Sequence, residues 1–298
     1  MRKLLYSQKL APYLFILPFI LTFGLFWLYP VIQAVVMSFQ KILPGMTTYI
    51  GTTNYSRLFG DRIFWLALTN SVRYMVLTLV LLIPIPLLLA VLINSKLGNP
   101  KIKNFFKSTM FVPALTSVVV AGIVFRFLFS ESDSALMNSI VEFFGFGPVK
   151  WLKHDLTGLA ALLVIAMWRW TGVNMMYFLA GLQAIPTELY ESASIDGANA
   201  WQKFWSVTVP NIKPTIVYVV TISVYGGLAM FLESLMLYGN NNSPFNQGLT
   251  IVGYLYRMGI EKNDMGYASA VGVVLLVLVL TINLIQLTAT GTFKKETR

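Results

Sequence analysis

The chain has no cysteine, which removes disulfides, thiolate metal sites and cysteine nucleophiles in one step. It has a single histidine, His154, so neither a histidine metal cluster nor a conventional Ser–His–Asp arrangement can be built. No G-x-x-x-x-G-K-[ST] run occurs, and no G-x-G-x-x-G follows a strand, so there is no nucleotide-phosphate cradle. Charge is also scarce. Only 11% of the 298 residues are charged, against roughly 25% in an average soluble domain. With 56% hydrophobic residues and a mean hydropathy of +0.69, an ordinary soluble enzyme and a disordered chain are both excluded. The net charge of +10 would suggest nucleic acid in a soluble protein. In a membrane protein, Lys and Arg collect on cytoplasmic loops, so the distribution decides.

What is present is long apolar runs. A helix crossing the hydrocarbon core needs about 20 mostly apolar residues, and six such spans can be placed near 12–37, 66–93, 108–129, 159–182, 214–238 and 266–289. Residues 10–40 carry no charge, a run too long for the apolar core of a secretory signal, and it reads as a retained span. Pro18, Pro30, Pro84, Pro86 and Pro113 fall within spans, where breaks are tolerated if neighbours or a cavity satisfy the freed backbone groups. No linker, low-complexity tract or repeat divides the chain. The expectation is an all-α membrane protein, with residues 1–298 forming one membrane domain.

Orientation follows from the basic residues. With the N-terminus inside, the inner segments hold Arg2, Lys3, Lys9, Lys96, Lys101, Lys103, Lys107, Lys203, Lys213, Lys294, Lys295 and Arg298. The outer segments hold Lys41, Arg57, Arg62, Lys150, Lys153, Arg257 and Lys262. Twelve against seven places both termini in the cytoplasm. The positive charge is therefore a topology signal, and no nucleic-acid partner is expected.

The most informative stretch lies between spans four and five, at 184–213, and reads AIPTELYESASIDGANAWQKFWSVTVPNIK. Pro186 with Thr187 and Glu188 suits a helix start. Glu191, Ala193, Ile195, Ala198 and Trp201 allow a short helix broken near Gly197. Phe204, Trp205 and Val207 give a second amphipathic turn, which Pro210 is expected to stop. Such a hairpin suits docking of a soluble partner, and an interfacial helix lying on lipid fits the same pattern.

Here the chain resembles the permease subunits of ATP-binding-cassette importers. They carry a loop of the form E-A-A, three residues, G, nine residues, I-x-L-P. This sequence has Glu191-Ser192-Ala193, then Gly197, then Val207-Thr208-Val209-Pro210 at the same spacings, with Ser for Ala and Val for Ile and Leu. GLQAIPTELYESASIDGA, FFKSTMFVPAL and GYASAVG resemble the maltose-type carbohydrate branch. SFQKILPG, WRWTGVN, YFLAGLQ and NNNSP are similar to arabino-oligosaccharide permease subunits of Gram-positive bacteria. The resemblance implies the type I importer fold: six transmembrane helices, with a cytoplasmic coupling helix between helices four and five. It implies a heterodimer with a second permease, two cytoplasmic ATPase subunits and an external sugar-binding lipoprotein, in a bacterial plasma membrane. ATP and Mg would be bound by the ATPases, so this chain is expected to hold no cofactor or metal and to have no catalytic residues. ATPase coupling would fall on Glu191, Ser192, Ala193, Asp196, Gly197, Phe204 and Pro210, with Phe204 and Trp205 packing beneath the loop.

Charges inside a span cost at least about 2.5–3.5 kcal/mol on insertion scales and so face protein or water. Arg73 and Arg126 lie near span ends and are expected to snorkel. Arg169 lies deep in span four between Trp168 and Trp170, and Glu233 lies near the outer end of span five, so related depths leave an ion pair open. Sugars are bound by aromatic rings against their apolar C–H faces and by amides or carboxylates on their hydroxyls. Trp170, Asn174 and Tyr177 recur at helical spacing, and Tyr225, Met230, Phe231 and Glu233 lie along span five. The resemblance points to these two helices for the substrate pathway, with Arg169 beside it, although aromatics in a bundle also serve packing.

Two other functions fit less. An ABC permease for amino acids, metal chelates or peptides conflicts with the carbohydrate-branch phrase at 182–198. An ion-coupled secondary transporter could use Glu233 and Arg169, but no inverted repeat is visible and the docking loop would be unexplained.

Overall fold

A computed structural model of the protein describes residues 11–43, 45–95, 98–241 and 243–292. Arg2, Lys3, Lys9, Lys96, Lys294, Lys295 and Arg298, which support the orientation, lie outside the described residues, as does Asn242 of the NNNSP phrase.

In chain order the elements are α1 (Ala11–Ser38), strands β1 (Gln40–Leu43) and β2 (Met46–Tyr49), α2 (Thr53–Gly60), α3 (Arg62–Leu82) and α4 (Pro84–Asn94). Then come α5 (Pro100–Leu115), α6 (Val118–Leu128), α7 (Leu136–Phe143) and α8 (Asp155–Gln183). They are followed by α9 (Thr187–Ile195), α10 (Ala200–Asn211), α11 (Lys213–Leu228), α12 (Leu232–Tyr238), α13 (Ile251–Tyr256) and α14 (Met265–Ala289). The architecture is overwhelmingly helical. The β1–β2 antiparallel hairpin, with Gln40 opposite Tyr49, is a small departure from the all-α expectation.

Four helical stretches are individually long and apolar enough to cross a membrane: Ala11–Ser38, Arg62–Asn94, Asp155–Gln183 and Met265–Ala289. The count reaches six if two bent pairs each make one span, α5 with α6 at 99° and α10 with α11 at 69°. The expected third span at 108–129 is therefore not one straight helix. Thr116 and Ser117 take extended backbone (ψ 140° and 131°) between α5 and α6. The expected fifth span is also divided, because Phe231 (φ −149°, ψ −59°) separates α11 from α12.

At Pro30 and Pro210 the helix widens ahead of the proline. A proline ring crowds the carbonyl four residues back and has no N–H to offer it. Before Pro30 the helix widens, with Tyr29 N–H reaching Gly24 O five residues back. Val209 N–H reaches Phe204 O in the same way before Pro210. The helix thus passes through Pro210 to Asn211, rather than stopping there.

The described residues form two compact units. One comprises the chain up to Asp61 together with Leu255–Val277. Within it, Asn54 Nδ2 donates to Ser38 O (2.8 Å) and Gln40 O (3.0 Å), tying α2 to the end of α1. Arg57 pairs with Asp264 at 2.6 Å and stacks over the Tyr267 ring at 4.1 Å. Tyr267 Oη in turn donates to Asp61 Oδ2.

The other unit comprises Arg62–Tyr254 with the chain from Leu278 onward, and α8 runs through its centre. One core gathers Tyr74, Leu82, Phe125, Phe129, Leu162, Ile165, Met230 and Leu237. A second gathers Leu87, Ala90, Met175, Phe178, Leu179, Leu182, Ile212 and Val219. A helix buried on several sides needs a smooth surface somewhere, and Gly172 provides it. A Cβ there would lie 1.9 Å from Met110 O, so only glycine allows α5 this close to α8.

Candidate transport site

Two features of the second unit carry chemistry, a hairpin and a cavity. The hairpin is α9–α10. Its turn is dictated locally. Gly197 takes a left-handed conformation (φ +76°) just past the end of α9. Gly197 N–H bonds to Ser194 O (3.1 Å) and Ala198 N–H bonds to Ala193 O (2.9 Å). This paired closure satisfies the last carbonyls of a helix and favours glycine at that position. The spacing from Ala193 to Gly197 is therefore the geometry of a helix terminus. Two residues on, Asn199 and Gln202 cap each other reciprocally: Asn199 Oδ1 accepts from Gln202 N–H (2.9 Å) and Gln202 Oε1 from Asn199 N–H (2.8 Å). One helix ends and the next begins within four residues.

Cross-links hold the two arms together. Tyr190 Oη and Thr208 Oγ1 lie 2.9 Å apart, and Lys203 Nζ donates to Ser194 Oγ at 2.7 Å. Phe204 and Val207 pack onto the second core. Trp205 does not; it is 53% exposed, so of the expected pair Phe204 and Trp205 it is Phe204 that packs onto the core. Glu191, Ser192, Asp196, Gly197 and Pro210 are exposed and Ala193 is half-buried. Beside them stand Ile195 (87% exposed) and Trp201 (68%). The outcome is a rigid knob with carboxylates and large apolar groups on its surface.

The cavity, of about 310 Å³, opens between α3, α8, α11 and the α11–α12 break. That volume is at the lower end of ligand clefts, about 300–1,000 Å³. Of the expected pathway residues it brings together Trp170, Asn174, Tyr177, Tyr225, Met230 and Glu233. Arg169 and Phe231 are not in its wall. The Arg169 guanidinium lies over the Trp170 ring, 5.4 Å from the centroid, and makes no ion pair with Glu233. Its Nε and Nη1 are buried without a hydrogen-bond partner. Phe231 supplies the backbone break instead.

Asn174 has a structural duty as well. It is 3% exposed, and its Nδ2 donates to Leu82 O at 2.9 Å. In an unbroken helix that carbonyl would accept from residue 86, which is proline and has no N–H. Asn174 thus repairs the break between α3 and α4 and lines the cavity with what remains of its amide. Tyr177 stands edge-on to Tyr218, with ring centroids 5.2 Å apart. Ala229 and Met230, at the α11–α12 break, also line the wall, as expected if unwound backbone at membrane depth survives where it borders a cavity.

Sequence reasoning missed α3. Tyr74, Thr78 and Leu82 form one side of the cavity, and their four-residue spacing was a signal, although nothing local linked them to α8. The Thr78 hydroxyl lies 2.9 Å from both Tyr74 O and Met75 O, so its proton is spent on its own helix. Arg73 does more than snorkel: it pairs at 2.8 Å with Asp155, in the first turn of α8. Arg126 is exposed and lies against the end of α12 at Gly239.

Comparison with known proteins fits this geometry. Residues 83–289 match the family described as binding-protein-dependent transport system inner membrane component. The chain is 52% identical over 295 residues to the arabinooligosaccharides transport system permease protein AraP of Bacillus subtilis, covering 99% of this chain and 93% of the relative. It is 32% identical to the lactose transport system permease protein LacF of Rhizobium radiobacter, covering 92% of each. Among solved structures, a bacterial ABC transporter involved in import of the acidic polysaccharide alginate superposes with a TM-score of 0.83 at 26% identity, covering 96% of both chains. The alginate transporter in complex with alginate pentasaccharide-bound periplasmic protein gives 0.82 at 26% identity, covering 96% and 95%. By sequence and by fold, this chain belongs to the binding-protein-dependent inner-membrane transport components, as a membrane-embedded bacterial permease and not an enzyme.

Proposed function

We propose that the chain forms half of the translocation pathway of an ATP-driven ABC importer for arabino-oligosaccharides. The 52% identity to AraP across nearly the whole chain carries this reading, together with a cavity whose wall holds Tyr74, Trp170, Tyr177 and Tyr225 beside a few polar groups. Aromatic faces suit the C–H faces of sugar rings, and few polar groups fix orientation.

In this reading, a second homologous permease completes the pathway and an external lipoprotein delivers the sugar. Two cytoplasmic ATPases bind ATP and Mg, and this chain binds neither. The α9–α10 knob seats against one ATPase. Ile195 and Trp201 supply the apolar contact, while Glu191 and Asp196 supply charge. Both termini are cytoplasmic, in the plasma membrane of a Gram-positive cell, and the chain acts as one membrane domain.

Reconstitution of the full importer in proteoliposomes tests this. Uptake of labelled arabinotriose is expected to require internal ATP and the binding protein. Uptake that persists without ATP and stops with an uncoupler would overturn it in favour of ion-coupled transport.

A further inference from the structure

Among the described residues, the cavity wall contains one carboxylate, Glu233, and no Lys, Arg or His. Its other polar side chains are uncharged: Tyr74, Thr78, Trp170, Asn174, Tyr177, Ser223 and Tyr225. Neither nearby arginine corrects the balance. The Arg169 guanidinium is turned onto the Trp170 ring, and Arg73 pairs with Asp155 outside this cavity.

We propose that Glu233 makes the cavity a charge filter that accepts neutral sugars and rejects acidic ones, uronates in particular. This rests on the sugar-permease reading above and deepens it by naming the residue that sets which charge class of sugar is accepted. A carboxylate accepts from two sugar hydroxyls at once, which suits a neutral glycan. A carboxylate on the ligand would meet like charge, and among the described residues no cation stands in the wall to offset it. The fold itself does not impose this choice, because a permease of the same fold serves import of the acidic polysaccharide alginate. The discrimination therefore lies in side chains, and Glu233 is the only charged one in this wall. Its position helps. It stands in the first turn of α12, just past the backbone break at Phe231, and lines the cavity there.

The external binding protein also selects sugars, so the filter must be read without it. The assembled permease–ATPase complex in nanodiscs would be titrated with labelled arabinobiose and with digalacturonate, for wild type, Glu233→Gln and Glu233→Lys. Wild type is expected to prefer arabinobiose on the order of 100-fold, the scale of one unscreened like-charge contact. Glu233→Gln should shrink that ratio at least about tenfold, and Glu233→Lys should shift it further toward the uronate. Equal binding of both sugars by wild type, or an unchanged ratio in both variants, overturns the filter while leaving the permease reading standing. Failure of the wild-type importer to take up any arabino-oligosaccharide with its binding protein would refute the sugar reading and the filter together.

Discussion

The hairpin and the cavity are built in opposite ways. The α9–α10 turn is closed by hydrogen bonds between residues three to five apart, from Ala193 to Gln202. The cavity draws its wall from Tyr74 to Glu233, more than half the chain apart. The hairpin owes its shape to backbone geometry and is mostly exposed. The cavity owes its shape to packing between helices, and its decisive hydrogen bond joins Asn174 to Leu82 across 92 positions. A local device presents one surface reproducibly to a partner. A long-range device can change its contents by side-chain substitution while the frame stays.

The largest effect is expected where backbone conformation alone sets the surface. A Cβ at Gly197 meets nothing within 4 Å, so the penalty there is conformational and not steric. Gly197→Val should cost about 1–2 kcal/mol in the left-handed region and, by redirecting α10, abolish uptake while membrane insertion stays intact. Gly197→Asn, which tolerates that conformation better, should retain measurable uptake. Equal uptake by both variants and wild type would break the distinction drawn for the hairpin.

In the cavity, the expected loss is one of packing and hydrogen bonding. Asn174→Leu strands a buried carbonyl, at a cost of about 1–3 kcal/mol, read as a lower thermal midpoint of the purified protein. Pro86→Ala in the same background supplies the missing N–H, so the double variant should recover part of that loss. No recovery would detach Asn174 from the repair of the α3–α4 break. The smallest effect is expected at Arg73–Asp155, a largely exposed pair. Asp155→Asn should change stability by less than about 1 kcal/mol, and a larger change in thermal midpoint would assign the pair to the core frame.

The same contrast explains how much could be read from residues alone. Gly197 at its interval from Ala193 was legible because a helix terminus is a local event with a preferred residue. The apolar runs gave the helices, since hydropathy needs no partner. Hydropathy has no direction, however, so the uncharged stretch across Thr116 and Ser117 hid a 99° bend. Pro210 was expected to stop a helix that instead widens by one residue ahead of the proline ring and ends at Asn211. Trp170 and Tyr177 were legible from helical spacing, Tyr225 and Glu233 from their place along span five and the family resemblance, and the cavity brings all four together. Tyr74 and Thr78 were not found, because nothing in α3 announces which helix it will face. Arg169 was read from its depth and its flanking Trp168 and Trp170, which left an ion pair with Glu233 open and did not reveal that the guanidinium would lie on the Trp170 ring.

The central claim is that the exposed knob, and not the cavity, carries the contact to the ATPase. Glu191 is exposed and forms no ion pair among the described residues, so reversing its charge leaves the hairpin's own hydrogen bonds in place. The direct measurement is ATPase activity of the reconstituted importer, stimulated by sugar-loaded binding protein, for wild type and Glu191→Lys. The account predicts that Glu191→Lys loses most of the stimulation and retains less ATPase on purification. Full stimulation with the ATPase still bound would contradict it.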